Sequence, residues 1–350
     1  MVWIDLSTNL STGDIMKKLL LSALMLALTA TFGTAAQAAP QVLKVAIGDP
    51  ADSEQGVAGI SFKKYVEEKT NGKYEVQLFF SGQLGDETET IHNVRRGTLD
   101  VSCVGIANIV PFVKKLGVLT LPYLFDNLDE VVKGTNGASH ELLNGYAMKE
   151  GGFRVLCWTY TDFRWITNSK KPIKTMADIA GLKFRVPQSA VLIAAYKSFG
   201  ANPVPIAWSE TFTALQQGVV DGPCYGYIGI QAMKFMEANQ KYLTECHYTY
   251  QLQPLIMSQR VLKKMSAEDQ AIMIAAGKYA QEQVLKFQQE QGGKAKEALV
   301  KAGLVVDQLQ DEAKWKEAAV STVWPEMADF CGGKDAINAY LKSFGKAEWK

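Results

Sequence analysis

The sequence predicts an α/β fold of two lobes, with strands that cross between the lobes. Three observations lead to this prediction. Strand and helix patterns alternate along the chain, which is typical of a largely parallel sheet. About 312 of the 350 residues remain once a predicted leader is set aside, enough for two lobes with separate cores. No linker divides the chain near its middle, which favours lobes that the chain crosses several times.

The first part of the folded chain alternates regularly between strand and helix patterns. Strands are predicted where apolar residues alternate, and a helix is predicted where Ile91 and Val94 share one face. The predicted elements are strand Val42–Gly48, helix Gly56–Glu68, strand Tyr74–Phe79, helix Glu87–Arg96 and strand Leu99–Val104.

The pattern continues towards the C-terminus. The predicted elements are strands Phe153–Trp158, Phe163–Thr167 and Leu182–Val186, helix Met176–Ile179, and a helix capped by Ser189 that ends at Phe199. Ser266 and Asp269 resemble a capping box, which would open a long helix towards Leu299 with Gly292-Gly293 as a candidate bend. Residues 312–344 are predicted to be helical and amphipathic.

The N-terminus predicts export. Lys17 and Lys18 precede an apolar run, Leu19–Phe32, and small residues follow up to Ala38. This order is that of a secretory signal peptide, with cleavage expected after Ala38, and the run is shorter than the roughly 20 residues that span a bilayer. The alternative is an uncleaved anchor helix. Met16, rather than Met1, is the predicted start, and the mature protein is predicted to be soluble and periplasmic.

Composition excludes several function classes. The chain has 37 basic and 36 acidic residues without a basic block, so no nucleic-acid partner is expected. Five cysteines lack close spacing and the three histidines are scattered, so no metal site is predicted, most cysteines are expected to be buried, and at most one disulfide is considered. Hydrolase, zinc-protease, phosphate-loop and dinucleotide motifs are absent from the sequence. We therefore predict neither enzymatic activity nor a cofactor.

Several motifs in order closely resemble the solute-binding proteins of tripartite ATP-independent periplasmic (TRAP) transporters, the DctP-like dicarboxylate-binding family. The resemblance covers nearly the whole chain from about Leu43 onward. The segments that carry it are Gln83–Gly85, Gly97–Asp100, Leu121–Tyr123, Asn168–Ile173, Asp178–Gln188, Gly200–Glu210 and Thr213–Gly222.

The resemblance implies a periplasmic-binding-protein-like fold, with a long helix that spans both lobes, that binds organic acids in the cleft between them. The expected division is a leader over residues 1–38, lobe I over 39–161 plus 251–290, and lobe II over 162–250 plus 291–350. The implied partners are a small carboxylate and the membrane permease subunits. The protein itself is predicted to be a monomer that closes around its ligand at a hinge.

The resemblance also implies the site residues. An arginine at the position of Arg185 pairs with the ligand carboxylate, and one at Arg164 assists. The residue physics agrees for Arg185, because a guanidinium matches a carboxylate in a bidentate manner. The alternative is a structural salt bridge from Arg185 to Asp178 or Glu210, and Arg164 could instead pair with Asp162 or stack on Trp165. The positions of Trp208 and Tyr225 line the pocket in the family.

The sequence departs from the family pattern at the pocket. Tyr225 replaces a customary asparagine, and Gly48 and Gly105 stand where relatives tend to carry polar side chains. Two glycines would leave open space, and flat rings could stack on a ligand. We therefore expect an aromatic or bulky hydrophobic monocarboxylate.

Other pocket candidates are weaker. Glu87 could contact an amine or hydroxyl, or only stabilise a helix N-terminus; His247 is expected to be structural. The remaining candidate ligand-binding residues are Asn108, Gln188 and Phe163. Alternative functions are a C4-dicarboxylate or hydroxy-acid binder, a sensor of the same fold for a membrane kinase or chemoreceptor, and a binding protein of an ATP-driven importer.

Overall fold

A computed structural model of the protein describes residues 39–350 together with Gly13 and Met16. Apart from Met16, the predicted signal peptide lies outside the described residues, as does the cleavage position after Ala38. The compact unit that carries the fold spans Gln41–Lys350. Among the described residues, no helix is both long enough and apolar enough to cross a membrane.

The strands form three sheets. Their bounds are β1 Gln41–Ile47, β2 Tyr74–Phe79, β3 Val101–Cys103, β4 Phe153–Phe163, β5 Trp165–Asn168, β6 Lys183–Val186, β7 Asn202–Pro205, β8 Cys224–Tyr225, β9 Tyr242–Glu245, β10 Tyr250–Ser258 and β11 Val305–Gln308. The first sheet has the order β2-β1-β3-β10-β4, the second has the order β11-β9-β5-β8, and β6 pairs with β7. β1 is parallel to β2 and β3, whereas β10 is antiparallel to both of its neighbours. The first sheet is therefore mixed.

Helices surround these sheets. Their bounds are α1 Glu54–Lys69, α2 Glu87–Arg96, α3 Ile106–Ile109, α4 Leu128–Thr135, α5 Gly137–Tyr146, α6 Met176–Ile179, α7 Ala190–Ser198, α8 Thr211–Gln216, α9 Tyr227–Ala232, α10 Gln259–Leu262, α11 Ala267–Lys301, α12 Glu312–Ala318, α13 Trp324–Met327 and α14 Lys334–Ser343. Short 3₁₀ turns cover Lys114–Thr120, Trp208–Glu210 and Phe235–Ala238, and π-helical turns cover Ala147–Gly151 and Ala319–Val323.

The chain crosses between the first and second sheets in two adjacent segments. β4 of the first sheet leads into β5 of the second with only Arg164 between them, and β9 of the second leads back to β10 of the first. The Arg164 amide donates to Thr249 O at 2.9 Å, which joins the two crossings side by side. The predicted α/β fold with crossing strands is confirmed, and paired crossings of this kind can serve as a hinge.

β4 differs from its prediction. Residues 153–163 form one strand that pairs with β10, whereas the sequence analysis placed a break after Trp158. The intervening Thr159, Tyr160 and Thr161 favour extended structure, and nothing in the pairing with β10 requires a turn there.

Helix α11 is 35 residues long and joins the two halves of the core. Ser266 Oγ accepts from the Asp269 amide at 3.1 Å, as the predicted cap requires, and Gly292-Gly293 does not interrupt the helix. Met273 packs in a core cluster with Leu43, Val45 and Ile47 of β1, whereas Leu299 packs in the large cluster that includes Leu243 of β9. A Cβ at Gly277 would lie 2.4 Å from Leu156 O, so glycine is what allows the helix to lie so close to β4.

The cysteines are structural in this fold. All five are buried and free, as expected for small apolar side chains. Among the described residues, no group of histidine, cysteine and carboxylate side chains could hold a metal ion.

Candidate ligand-binding site

A small inner cavity lies where the ends of first-sheet strands meet residues of the second and third sheets. Its volume is about 20 Å³. The residues that line it are Glu87, Gly105, Ala107, Asn108, Arg164, Arg185, Pro187, Trp208, Tyr225, Gln251 and Gln253. A larger outer cavity of about 310 Å³ shares Glu87 and Trp208 with it and is lined further by Phe212 and Met233. Six of the eight residues predicted to bind ligand therefore border the inner cavity.

Arg185 presents a buried donor to this cavity. It lies on β6 between Phe184 and Val186, which are fully buried in the core, and only 3% of its own surface is exposed. Its amide donates to Gly222 O at 2.8 Å and its Nε to Ile206 O at 3.0 Å. The Nη2 atom is buried and has no hydrogen-bond partner among the described residues.

The electrostatics of Arg185 reflect this burial. Burial, with a contribution from the charge of Arg164, lowers the pKa of Arg185 to about 10, so the side chain remains charged at neutral pH. Its guanidinium carbon lies 5.2 Å from the centre of the Trp208 ring, a distance that permits a cation–π contact. No ion pair to Asp178 or Glu210 occurs, so Arg185 retains a positive charge that a ligand could neutralise.

Arg164 is engaged within the protein. Its Nε donates to Cys224 Sγ at 3.1 Å and its Nη2 to Cys224 O at 3.2 Å. Neither alternative partner from the sequence analysis is used, since Asp162 instead accepts from Trp165 Nε1 at 3.0 Å. Arg164 therefore borders the cavity but holds the second sheet together at β8.

Trp208 and Tyr225 stack on each other. Their ring centres lie 5.0 Å apart with planes inclined by 14°. Trp208 Nε1 donates to Asp49 Oδ1 at 2.7 Å, and the Tyr225 hydroxyl donates to Asp49 Oδ2 at 2.8 Å. Asp49 follows β1 of the first sheet, so the two rings are bonded to the opposite side of the cavity.

Asp49 is the main residue that the sequence analysis missed. It is 1% exposed and also accepts from Gln253 Nε2 at 3.2 Å. Burial raises the pKa of Asp49, and its hydrogen bonds from Tyr225, Gln253 and Trp208 oppose that rise. Its place at the carboxyl end of a parallel strand could have marked it, because ligands of open α/β sheets bind at that edge.

Glu87 occupies the space that the sequence analysis assigned to two glycines. A Cβ at Gly48 would lie 2.7 Å from Glu87 Oε1, and the Gly105 amide donates to Glu87 Oε2 at 2.8 Å. Asn108 Nδ2 donates to the same oxygen at 2.6 Å. The expectation of open space beside Gly48 and Gly105 is therefore wrong, because a carboxylate from α2 fills it.

Two predicted site residues lie away from the cavity. Gln188 is exposed to solvent. Phe163 packs edge-on against His247 and Tyr250, with ring centres 4.7 and 5.2 Å away. His247 in turn faces Glu312, with Nδ1 3.2 Å from Oε2. Nothing in these contacts brings Gln188 or Phe163 to a ligand in the inner cavity.

Comparison with known proteins agrees with this architecture. The family described as "Bacterial extracellular solute-binding protein, family 7" (DctP) matches residues 47–329. A solute-binding protein of Verminephrobacter eiseniae is 34% identical over 89% of each chain. The 2,3-diketo-L-gulonate-binding periplasmic protein YiaO of Escherichia coli is 30% identical over 77% of this chain and 82% of its own. The crystal structure of a TRAP periplasmic solute-binding protein from Polaromonas, bound to D-erythronate, is 34% identical, covers 86% of this chain and 98% of its own, and has a TM-score of 0.80.

The fold and the comparisons thus define the class of protein: a two-lobed solute-binding protein that serves transport, not an enzyme. More particularly, the chain belongs to family 7 of the bacterial extracellular solute-binding proteins, the DctP family. The resemblance to TRAP solute-binding proteins noted from the sequence is confirmed.

Proposed function

We propose that this protein captures a small carboxylate across its adjoining inner and outer cavities, with the carboxylate group beside Arg185, and delivers it to the membrane subunits of a TRAP transporter. The observation that carries the proposal is Arg185 Nη2, a buried charged donor without a partner among the described residues. Such a donor costs free energy until it is paired. A ligand carboxylate would supply the partner, and the Polaromonas relative holds a carboxylate, D-erythronate.

The ligand we favour is a small hydroxylated monocarboxylate. Gln251 Oε1 and Gln253 Oε1 are buried acceptors without partners among the described residues, and both residues line the cavity. Hydroxyl groups would satisfy them. Two relatives support this choice, since YiaO is named for 2,3-diketo-L-gulonate and the Polaromonas protein holds D-erythronate, whereas the Vibrio cholerae relative is named for C4-dicarboxylates.

The aromatic monocarboxylate expected from the sequence has less support. The faces of Trp208 and Tyr225 are directed at each other, and Glu87 fills the glycine space. An aromatic body in the inner cavity would have to separate the stacked rings or displace that carboxylate.

Capture would proceed by closure of two lobes, lobe I over 39–161 plus 251–290 and lobe II over 162–250 plus 291–350. The crossings beside Arg164 would act as the hinge. A ligand that contacts both lobes would favour the closed state because it binds that state more tightly. We further propose that the protein acts as a periplasmic monomer after cleavage of its leader following Ala38, and that the membrane subunits recognise its closed form.

Calorimetric titration of the purified protein tests the proposal. The panel is D-erythronate, galactonate, succinate and phenylacetate, and we expect binding of the hydroxylated monoacids. Arg185→Ala should weaken binding at least about 30-fold, since truncating one partner of a buried charge pair costs about 2–5 kcal/mol. Arg260→Ala, which removes an exposed arginine, is the matched control and should leave affinity unchanged.

Two results would contradict the proposal. Unchanged affinity in Arg185→Ala would place the anion elsewhere, and binding of phenylacetate alone would restore the aromatic ligand. Delivery is tested by measuring uptake of labelled ligand in cells that express the TRAP membrane subunits. Uptake should require the presence of this protein.

A further inference from the structure

The Glu87 carboxylate borders both cavities and has one acceptor position left. Its Oε1 accepts from Gln55 Nε2 at 3.0 Å, and its Oε2 accepts from the Gly105 amide and from Asn108 Nδ2 at 2.8 and 2.6 Å. A carboxylate offers about four lone-pair positions. Three neutral donors therefore hold Glu87 in place, and a ligand donor can still approach Oε1.

A second observation places further acceptors on the same side. Gln253 Nε2 donates to Asp49 Oδ2 and to the Tyr225 hydroxyl, at 3.2 and 2.6 Å. The amide oxygen Oε1 of Gln253 must therefore face away from that pair. It is buried without a partner among the described residues, as is Gln251 Oε1. First-sheet acceptors thus oppose the Arg185 donor across one cavity.

Negative charge is already crowded on this side. Burial, together with the charge of Asp49, raises the pKa of Glu87 to about 7. Neither Glu87 nor Asp49 has a lysine or arginine within ion-pair distance among the described residues, since both are held by neutral donors. A third carboxylate in the same place would meet like charge without water to screen it.

We infer that Glu87 determines ligand specificity by favouring a hydrogen-bond donor at the end of the ligand opposite its carboxylate and by excluding a second carboxylate there. The ligand class is therefore a monocarboxylate with a distal hydroxyl or ammonium group, and C4-dicarboxylates are rejected. This inference rests on the proposed function, in which Arg185 holds the first carboxylate.

A matched ligand pair tests the inference on the wild-type protein. D-Erythronate and meso-tartrate share four carbons and differ only in whether C4 is a hydroxymethyl or a carboxylate. At about pH 9, well above the pKa of Glu87 of about 7, we expect D-erythronate to bind about 100-fold more tightly, because Glu87 is then ionised and must either take up a proton or face the second carboxylate as a like charge. A second pair, 4-aminobutyrate against succinate, shows whether an ammonium donor is accepted as readily as a hydroxyl.

Glu87→Gln then assigns the effect to one side chain. The variant keeps the size of Glu87 and removes its charge, and it should reduce the preference for D-erythronate over meso-tartrate at least about tenfold. Glu89→Gln is the matched control, because Glu89 lies on the same helix and is exposed; its preference should equal that of wild type. Thermal melting confirms that both variants are folded.

The outcomes separate the two proposals. Equal wild-type affinity for D-erythronate and meso-tartrate would overturn the role of Glu87 while leaving carboxylate capture intact. Full discrimination in folded Glu87→Gln would overturn it as well. Failure of the wild type to bind any carboxylate of either pair would instead remove the proposed function, and the inference with it.

Discussion

The two sides of the inner cavity hold buried charge in different ways. The side formed by the second and third sheets has two arginines, Arg164 and Arg185. The first-sheet side has two buried acids, Asp49 and Glu87, and the charge of Asp49 acts on a third, Glu54 on α1. Formal charges alone would make the cavity negative. Burial raises the pKa of Glu54 to about 8 and that of Glu87 to about 7, whereas Arg185 keeps a pKa of about 10.

In the proposed function, this difference means that anion capture depends on which side of the cavity can lose its charge. Buried carboxyl groups can take up protons near neutral pH and become neutral, but an arginine cannot give up its proton in that range. The positive charge on the arginine side therefore persists near neutral pH, whereas the negative charge on the carboxylate side changes with pH. Of the two arginines at the cavity, Arg164 is bonded to Cys224, whereas Arg185 has a buried donor without a partner among the described residues.

The contrast between the two arginines should be visible in stability. Arg164→Met leaves Cys224 O without its side-chain donor and should lower the free energy of unfolding by about 1–3 kcal/mol. Arg185→Met removes an unpaired buried charge and loses one bond to Ile206 O, so ligand-free stability should stay the same or rise. Urea denaturation of both ligand-free variants measures the difference, which we expect to be about 3 kcal/mol.

The two substitutions should have the opposite ranking in ligand affinity. Arg185→Met should abolish binding, whereas folded Arg164→Met should retain part of it. Equal destabilisation by the two substitutions would contradict the distinction between a structural and an available guanidinium.

The adjustable charge of Glu87 predicts a pH effect. Its pKa is raised in the folded protein to about 7, so between the unfolded pKa and that value the folded state binds more protons. The contribution of Glu87 to the free energy of unfolding should therefore be largest below about pH 4.5 and should fall as the pH rises to about 7. One pKa unit corresponds to about 1.4 kcal/mol, so the loss is about 3 kcal/mol at most. Asp49, Glu54 and Arg185 also act on this site, so the wild-type profile is a composite.

Glu87→Gln isolates the contribution of Glu87. Denaturant midpoints of wild type and Glu87→Gln, measured between about pH 5 and about pH 8, should diverge as pH rises, with the variant gaining relative to wild type. Glu89→Gln should run parallel to wild type. A constant difference between wild type and Glu87→Gln would mean that Glu87 does not titrate in this range.

Much of the fold could be predicted because local patterns and global packing agree. Helix α2 and strand β2 have the predicted bounds, and Ser266 caps α11 as expected. Arg185 could be predicted to face the cavity, where it lies, because its neighbours Phe184 and Val186 fix which face it presents; its role as the anion's anchor stays a proposal.

The opposite side of the cavity could not be predicted in the same way. Asp49 and Glu87 are 38 residues apart, and Tyr225 reaches Asp49 from another sheet. Glycine at Gly48 and Gly105 suggested open space, because sequence cannot show that a glutamate from a third element fills it. Contacts between distant segments decide the chemistry of the acceptor side, and local periodicity carries no information about them.

The smallest expected effect concerns the bonds that join the two sides. Tyr225→Phe keeps the ring that stacks on Trp208 but removes the hydroxyl that donates to Asp49 and accepts from Gln253. Trp208 Nε1 still donates to Asp49 at 2.7 Å, so the connection persists in part. The hydroxyl makes two buried hydrogen bonds, one of them to a carboxylate, so we expect a loss of about 2 kcal/mol in the free energy of unfolding.

A matched control makes that small loss measurable. Tyr242 lies on β9, and its hydroxyl makes no hydrogen bond within the described part of the chain, so Tyr242→Phe should cost less than Tyr225→Phe in urea denaturation at neutral pH. A rise in the dissociation rate of a bound hydroxy acid in Tyr225→Phe, without a matching change in its association rate, would show that the hydroxyl acts on the closed form. Equal stability of the two variants and equal dissociation rates would mean that the bond from Tyr225 to Asp49 contributes nothing to closure.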